Sequence, residues 1–227
     1  MSGQELRAPR QGIDHLVFDN HLWAERIAVA AWVVAGCLFA AMALGPVRDA
    51  IESFDRWFFD FVYPIKWGPL TALSYTLAFL GSALFVWPLR IVVTAVLIAK
   101  KRWAALAAWL VPILVSEPLI GSLKAAYGRP RPPESLVTEI TGSFPSGHAV
   151  AGAVVALSLV IVLVPRGPAR RNLEMGAAVF VVLMAGSRIY LGAHWLTDVL
   201  AGVALGAACS VGGAALVQRW FSSRRVM

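Results

Sequence analysis

The sequence predicts an all-α polytopic membrane protein of six transmembrane helices, with an interfacial amphipathic helix in the first outer loop. Two observations carry that expectation. Hydrophobic residues make up 59% of the chain and charged residues 15%, with a mean hydropathy of +0.70, far too apolar for 227 residues folded around one water-soluble core. The apolar residues also fall in runs near the length needed to cross a hydrocarbon layer about 30 Å thick, roughly 20 helical residues.

Residues 1–26 carry both charge signs and lack a short apolar core followed by a small-residue cleavage site. They read as a retained cytoplasmic N-terminal segment rather than a signal peptide. Ile27 to Leu44 is the first uncharged run. Residues 46–78 form a long outer connection, within which RDAIESFDRWFFDFVYPIKW mixes acids, bases and aromatics as an interfacial helix does. Such a helix either covers a site laterally or plugs the bundle, and Trp57 and Trp67 fit both readings. Further apolar runs at roughly 79–99, 103–122, 148–164, 173–187 and 196–217 are separated by short charged or Pro/Gly-containing turns. With no internal repeat and no low-complexity tract, residues 1–227 read as one membrane-embedded domain.

Four basic clusters set the orientation: Arg7, Arg10 and Arg26; Lys100, Lys101 and Arg102; Arg166, Arg170 and Arg171; Arg219, Arg224 and Arg225. Six spans put all four on one side, and short cytoplasmic loops collect Lys and Arg, so both termini are expected in the cytoplasm of a cell whose plasma membrane, a bacterial inner membrane, holds the chain. Trp23, Trp103 and Trp220 stand where interfacial anchors belong. The net charge of +7 is spread over separate juxtamembrane turns, which points to membrane lipids rather than nucleic acid as partner. Cys37 and Cys209 lie inside expected spans and read as small packing residues, not as a disulfide or a thiol metal site.

Three polar stretches emerge on the outer side: KAAYGRPRP at 124–132, PSGH at 145–148 and SRIYLGAHWLTD at 187–198. Lys124 and Arg131 lie on the face where positive charge is otherwise sparse, so cytoplasmic retention does not account for them. In PSGH, Ser146 can cap the fourth span and Gly147 lets backbone approach a ligand. Free N–H groups and the positive helix end then face an anion, with His148 beside it to exchange a proton. An N-cap with a spectator histidine is the plain alternative for that motif taken alone. His194 and Asp198 are four apart and share a helix face, so the carboxylate can accept the Nδ1 proton and leave the other nitrogen a lone-pair donor, as a nucleophilic histidine requires. Arg188 offers a planar fork for phosphate oxygens. The same helical row continues through Gly202, Gly206 and Ser210, a stripe of small residues that admits a close neighbour. The remaining histidines, His15 and His21, lie on the opposite side without evident partners.

In that order, Lys124 with Arg131–Pro132, Pro145 to His148, and Ser187–Arg188 with His194 and Asp198 resemble the signature of the type 2 phosphatidic acid phosphatase superfamily, K-x6-RP, PSGH and SR-x5-H-x3-D. The resemblance covers 124–198. It implies that Lys124, Arg131, Ser146, Gly147 and Arg188 bind phosphate, that His194 attacks phosphorus to form a phosphohistidine, that His148 protonates the departing oxygen and then activates water, and that Asp198 orients His194. The implied activity is hydrolysis of a lipid phosphate or diphosphate, such as undecaprenyl diphosphate, phosphatidic acid or phosphatidylglycerol phosphate, at the outer face. No metal and no cofactor are expected, since the outer segments hold no dense carboxylate or His/Cys cluster and cationic groups can compensate the phosphate charge. The same signature resembles vanadium haloperoxidases and sugar phosphatases, the former mainly soluble. The alternative of another class is a membrane transporter or binder of anionic lipid headgroups, for which the His194–Asp198 pair would be superfluous. Two charges fall inside spans: Glu117, expected on one face with Lys124 and so able to tune it, and Arg90, which calls for a buried partner or a different span boundary.

Overall fold

The structure, a computed structural model, describes residues 21–165 and 167–223. His15, the clusters' Arg7, Arg10, Arg166, Arg224 and Arg225, and most of the 1–26 segment lie outside the described residues. Among those described, eight helices and no strand occur: α1 (His21–Ala43), α2 (Gly45–Val62), α3 (Gly68–Leu80), α4 (Ala83–Ala99), α5 (Trp103–Tyr127), α6 (Gly147–Leu163), α7 (Pro168–Tyr190) and α8 (Leu196–Ser223).

α1, α5, α7 and α8 are long and apolar enough to cross a membrane. The expected second span, 79–99, is corrected: α3 and α4 meet at a 46° bend, and the outer connection 46–78 contains most of α3 as well as α2. Gly81 and Ser82 break the run, Ser82 adopting extended backbone at φ −75° and ψ 157°. Hydropathy passes straight through the break because both helices are apolar. α6 is shorter, 17 residues, and packs against α8, α7 and α5.

α2 carries the amphipathic pattern to its physical end. Asp55 and Phe59, four apart, are buried against the bundle, while Phe54, Trp57 and Phe61 are exposed on the opposite face, Phe54 tilted against Trp57 and Trp57 stacked on Phe61. Pro at the first turn starts the helix.

α8 packs against α1, α5 and α6, and its small-residue row lets α6 come close. A Cβ on Gly202 would lie 2.7 Å from the Ser146 carbonyl oxygen, and one on Gly206 would lie 2.7 Å from the Val150 carbonyl oxygen. Ser210 Oγ donates to the Gly206 carbonyl at 2.9 Å. Leu205 and Cys209 of α8 join Trp109 and Ile113 of α5 and Val150 and Val154 of α6 in the main apolar core. Cys209 is therefore a packing residue, whereas Cys37 faces outward from α1.

The buried Arg90 finds its partner in the part-exposed Glu117, which corrects the expected pairing of Glu117 with Lys124. The lysine turns instead toward the loop after α5, where its ammonium donates to the Gly142 carbonyl. Arg90 is 3% exposed and lies against the Trp87 ring, 5.0 Å from its centroid. Trp23, Trp103 and Trp220 are exposed.

Candidate active site

The third motif spans the turn from α7 to α8. Gly192 holds φ +67°, and a Cβ there would lie 2.6 Å from the Glu134 carbonyl oxygen, so only glycine suits this turn. The amides of Ala193 and His194 both donate to the Arg188 carbonyl, at 3.0 and 3.3 Å, which stacks the turn on the end of α7. α8 then begins with Asp198 in its first turn. Its Oδ2 accepts the Trp195 amide at 2.9 Å, a side chain reaching back to the residue before the helix, where negative charge also suits the dipole.

His194 is 1% exposed and stands between opposite charges. Its Nδ1 faces Asp198 Oδ2 at 3.5 Å, an ion-pair rather than a hydrogen-bond distance, and its Nε2 lies 3.1 Å from Arg131 Nη1. Arginine has no acceptor, so Nε2 carries the lone pair in that contact and Nδ1 carries the proton toward Asp198. Burial pushes His194 below the ordinary histidine value. The Asp198 carboxylate opposes that shift, while Arg131 and Arg188 add to it.

Arg131 is fixed by acceptors on every side: Nε donates to the Thr141 carbonyl at 2.9 Å, Nη1 to the Ala193 carbonyl at 2.7 Å, and Nη2 to the Gly142 carbonyl at 3.2 Å. Lys124 reaches the same Gly142 carbonyl. Ser146 caps α6, accepting the Ala149 amide at 3.5 Å, and its own amide donates to the Asp198 carbonyl at 2.9 Å. The start of α6 is thus tied to the start of α8. A Cβ on Gly147 would sit 3.8 Å from Lys124 Cε, so the lysine lies beside that helix N-terminus.

Arg188 is 1% exposed at the end of α7 and its Nε is a buried donor with no hydrogen-bond partner among the described residues. Its Nη2 pairs with Glu139, which also forms an ion pair with Arg131 Nη2 at 2.8 Å and stands 3.7 Å from His148 Nδ1. Burial alone pushes the Glu139 carboxyl up, but Arg188, His194, Arg131 and His148 together hold it below its usual range. All eight residues singled out from the sequence therefore gather at one end of the bundle, where α5 and α7 finish and α6 and α8 begin.

Four residues escaped the sequence reading. Glu139 is the acid among the cations. Arg129, Asp55 and Thr197 form a buried cluster behind Asp198, with Arg129 Nη1 donating to Asp198 Oδ1 at 2.6 Å. Arg129 stood in plain view inside GRPRP, two residues from Arg131, but nothing along the chain tells which of the two arginines faces the anion. Asp55 gave a weak signal as an acid four residues before Phe59 on the inward face of α2.

A helical bundle with cations, a helix N-terminus and a carboxylate-backed imidazole gathered at one end of its helices has the makings of a membrane-embedded phosphatase. The comparisons agree. Residues 102–222 match the PAP2 superfamily, and the chain belongs to that family as an integral membrane lipid phosphatase. It is 31% identical over 175 residues to phosphatidylglycerophosphatase B of Bacillus subtilis, a match spanning 74% of this chain and 85% of the relative. The crystal structure of the transmembrane PAP2-type phosphatidylglycerolphosphate phosphatase from Bacillus subtilis superposes with a TM-score of 0.72 at 28% identity, covering 87% of this chain and 96% of the other. Aquifex aeolicus LpxE shares the fold, with a TM-score of 0.57 at 23% identity over 69% of this chain and 92% of the other.

Proposed function

We propose that the chain hydrolyses a lipid phosphate or diphosphate at the outer membrane face through a phosphohistidine on His194. One observation carries the reading: His194 is held with Nδ1 toward Asp198 and Nε2 toward Arg131, so a phosphate gripped by Arg131 lies beside the ring nitrogen that bears the lone pair.

Lys124, Arg131, Arg188 and the α6 N-terminus at Ser146 and Gly147 receive the phosphate oxygens and offset the charge that builds on them. Nε2 of His194 forms a bond to phosphorus as the bond to the lipid oxygen breaks, and His148 in its protonated form gives that oxygen a proton. The neutral His148 then takes a proton from water, whose oxygen attacks phosphorus, breaks the phosphorus–nitrogen bond and regenerates His194. Asp198 meets the positive charge on the ring throughout. No step calls for a metal.

Six spans, with α3 and α4 together as one, put the basic clusters on the cytoplasmic side and the site on the other. The name of the Bacillus relative places phosphatidylglycerophosphate first among substrates to assay, ahead of phosphatidic acid and undecaprenyl diphosphate. Purified protein in detergent is tested on each, with and without EDTA, beside His194→Ala. Phosphate release that survives EDTA and is lost in the variant, while headgroup binding persists, is the expected result. Undiminished release from His194→Ala removes the nucleophile, and binding without release by the parent chain favours a carrier of anionic headgroups.

A further inference from the structure

Behind the phosphate site, between α2 and the start of α8, lies a buried charged cluster that the phosphate groups do not include. Asp55 is 1% exposed, Arg129 2% and Asp198 0%. Arg129 donates from Nη2 to Asp55 Oδ2 at 2.7 Å, and from Nη1 to Asp198 Oδ1 at 2.6 Å and Thr197 Oγ1 at 2.9 Å. Asp55 also accepts the Thr197 amide at 3.1 Å and the Thr197 hydroxyl. Glu52 Oε1 stands farther out, 3.8 Å from Arg129 Nε.

Each group here has a definite task. Asp198 has two oxygens, and Arg129 takes Oδ1, leaving Oδ2 to the Trp195 amide and to His194. A buried guanidinium paired with Asp198 alone would cancel the charge that the imidazole needs. A second buried carboxylate on the same guanidinium leaves the trio with one net negative charge beside Nδ1. We propose that Asp55 and Arg129 are positioning residues for the His194–Asp198 pair, Arg129 fixing the direction of the Asp198 carboxylate and Asp55 neutralising Arg129 so that Asp198 keeps its charge for the ring. The proposal rests on His194 as nucleophile, because the ring becomes positive when Nε2 bonds phosphorus. Since Asp55 belongs to α2, whose other face bears Phe54, Trp57 and Phe61, seating of the amphipathic helix and orientation of the nucleophile become one event.

Charge rather than packing is the testable content. Asp55→Asn keeps the shape and takes the trio to zero, so His194 becomes harder to protonate and the acid limb of the kcat/KM profile moves to lower pH. Arg129→Gln takes the trio to two negative charges, so the limb moves to higher pH. The charged and titratable groups that face His194 are Asp198 from α8, Arg188 from α7, Arg131 and Glu139 from the loop after α5, and His148 from α6, with Lys124 of α5 beyond Arg131; both variants retain all of them. In both, kcat falls roughly 10- to 100-fold with KM nearly unchanged, the size seen when partners of a functional histidine are removed.

Each variant has a sign of its own, so the loss of either to misfolding leaves the other as the test. Limb movement in the stated direction upholds the proposal. A limb that stays in place, or both limbs moving the same way, overturns it. His194→Ala in the same assay separates the two ideas: turnover there removes the nucleophile itself, whereas an inactive His194→Ala with unmoved limbs in the other variants removes only the positioning role.

Discussion

Replacing Gly202 with alanine tests whether the closeness of α6 and α8 sets the geometry of catalysis. The added methyl would stand 2.7 Å from the Ser146 carbonyl oxygen and 2.9 Å from Ala149 Cβ, where ordinary contact begins at 3.4 Å. The carbonyl is backbone at the N-terminus of α6 and cannot swing aside, so the two helices must part by about 0.7 Å there. That gap opens between Ser146 to His148 on one side and His194 with Asp198 on the other. A misplacement near 1 Å at reacting groups costs up to about 100-fold, so kcat/KM should fall roughly 10- to 100-fold, or about 1.4 to 2.7 kcal/mol of transition-state stabilisation. Alanine raises helix propensity by about 1 kcal/mol over glycine, so local helix loss cannot produce such a fall. The assay is phosphate release from a micellar lipid phosphate, with Gly186→Ala as control because nothing lies within 4 Å of a Cβ there. A Gly202→Ala enzyme within about twofold of the parent, or an equal loss in the control, would refute the reasoning.

Glu139→Gln should strengthen inhibition by vanadate at least about tenfold, because a phosphate-like anion entering among Arg131, Arg188 and His148 competes with a carboxylate already there; unchanged or weaker inhibition counts against it. His194 must be neutral to attack, and burial lowers its pKa. Its reactive form therefore persists as pH falls past the ordinary value of 6.5, and the acid limb of kcat/KM, corrected for the substrate's own ionisation, should lie below that value. Glu117→Gln leaves Arg90 buried without its counter-ion and should cost about 3 kcal/mol, read as a lowered Tm, whereas Arg90→Leu with Glu117→Leu should restore most of it. A double variant as unstable as the single one would show that the pair does more than satisfy itself.

Much of this protein could be read from residue order because the bilayer imposes a strong local rule. Backbone polar groups in hydrocarbon must be satisfied within a helix, so each apolar run declares a helix whatever its neighbours do. α1, α5, α6, α7 and α8 lie close to where the hydropathy puts them, and the amphipathic segment after α1 became α2. The Ser146 cap is likewise a property of a short stretch of chain, whereas His194, expected on a helix face with Asp198, lies in the turn before α8 and meets the carboxylate from there. The bend between α3 and α4 was hidden because Gly81 and Ser82 interrupt hydrogen bonding, not hydropathy.

Tertiary structure alone decided which charges meet. Spacing offered Glu117 only Lys124, and the packing of α4 against α5 gave it Arg90 instead. Arg129 and Arg131 are indistinguishable as residues, yet one turns inward to Asp55 and Asp198 while the other reaches His194 Nε2. Glu139 among the cations and Asp55 behind Asp198 come from segments 49 and 142 residues from the partners they bind, Arg188 and Thr197. Local sequence sets helix, cap and face because those depend on neighbours a few residues apart. Ion pairing depends on distance in space, where the gain falls off within a few ångströms and burial penalises every charge left without a partner.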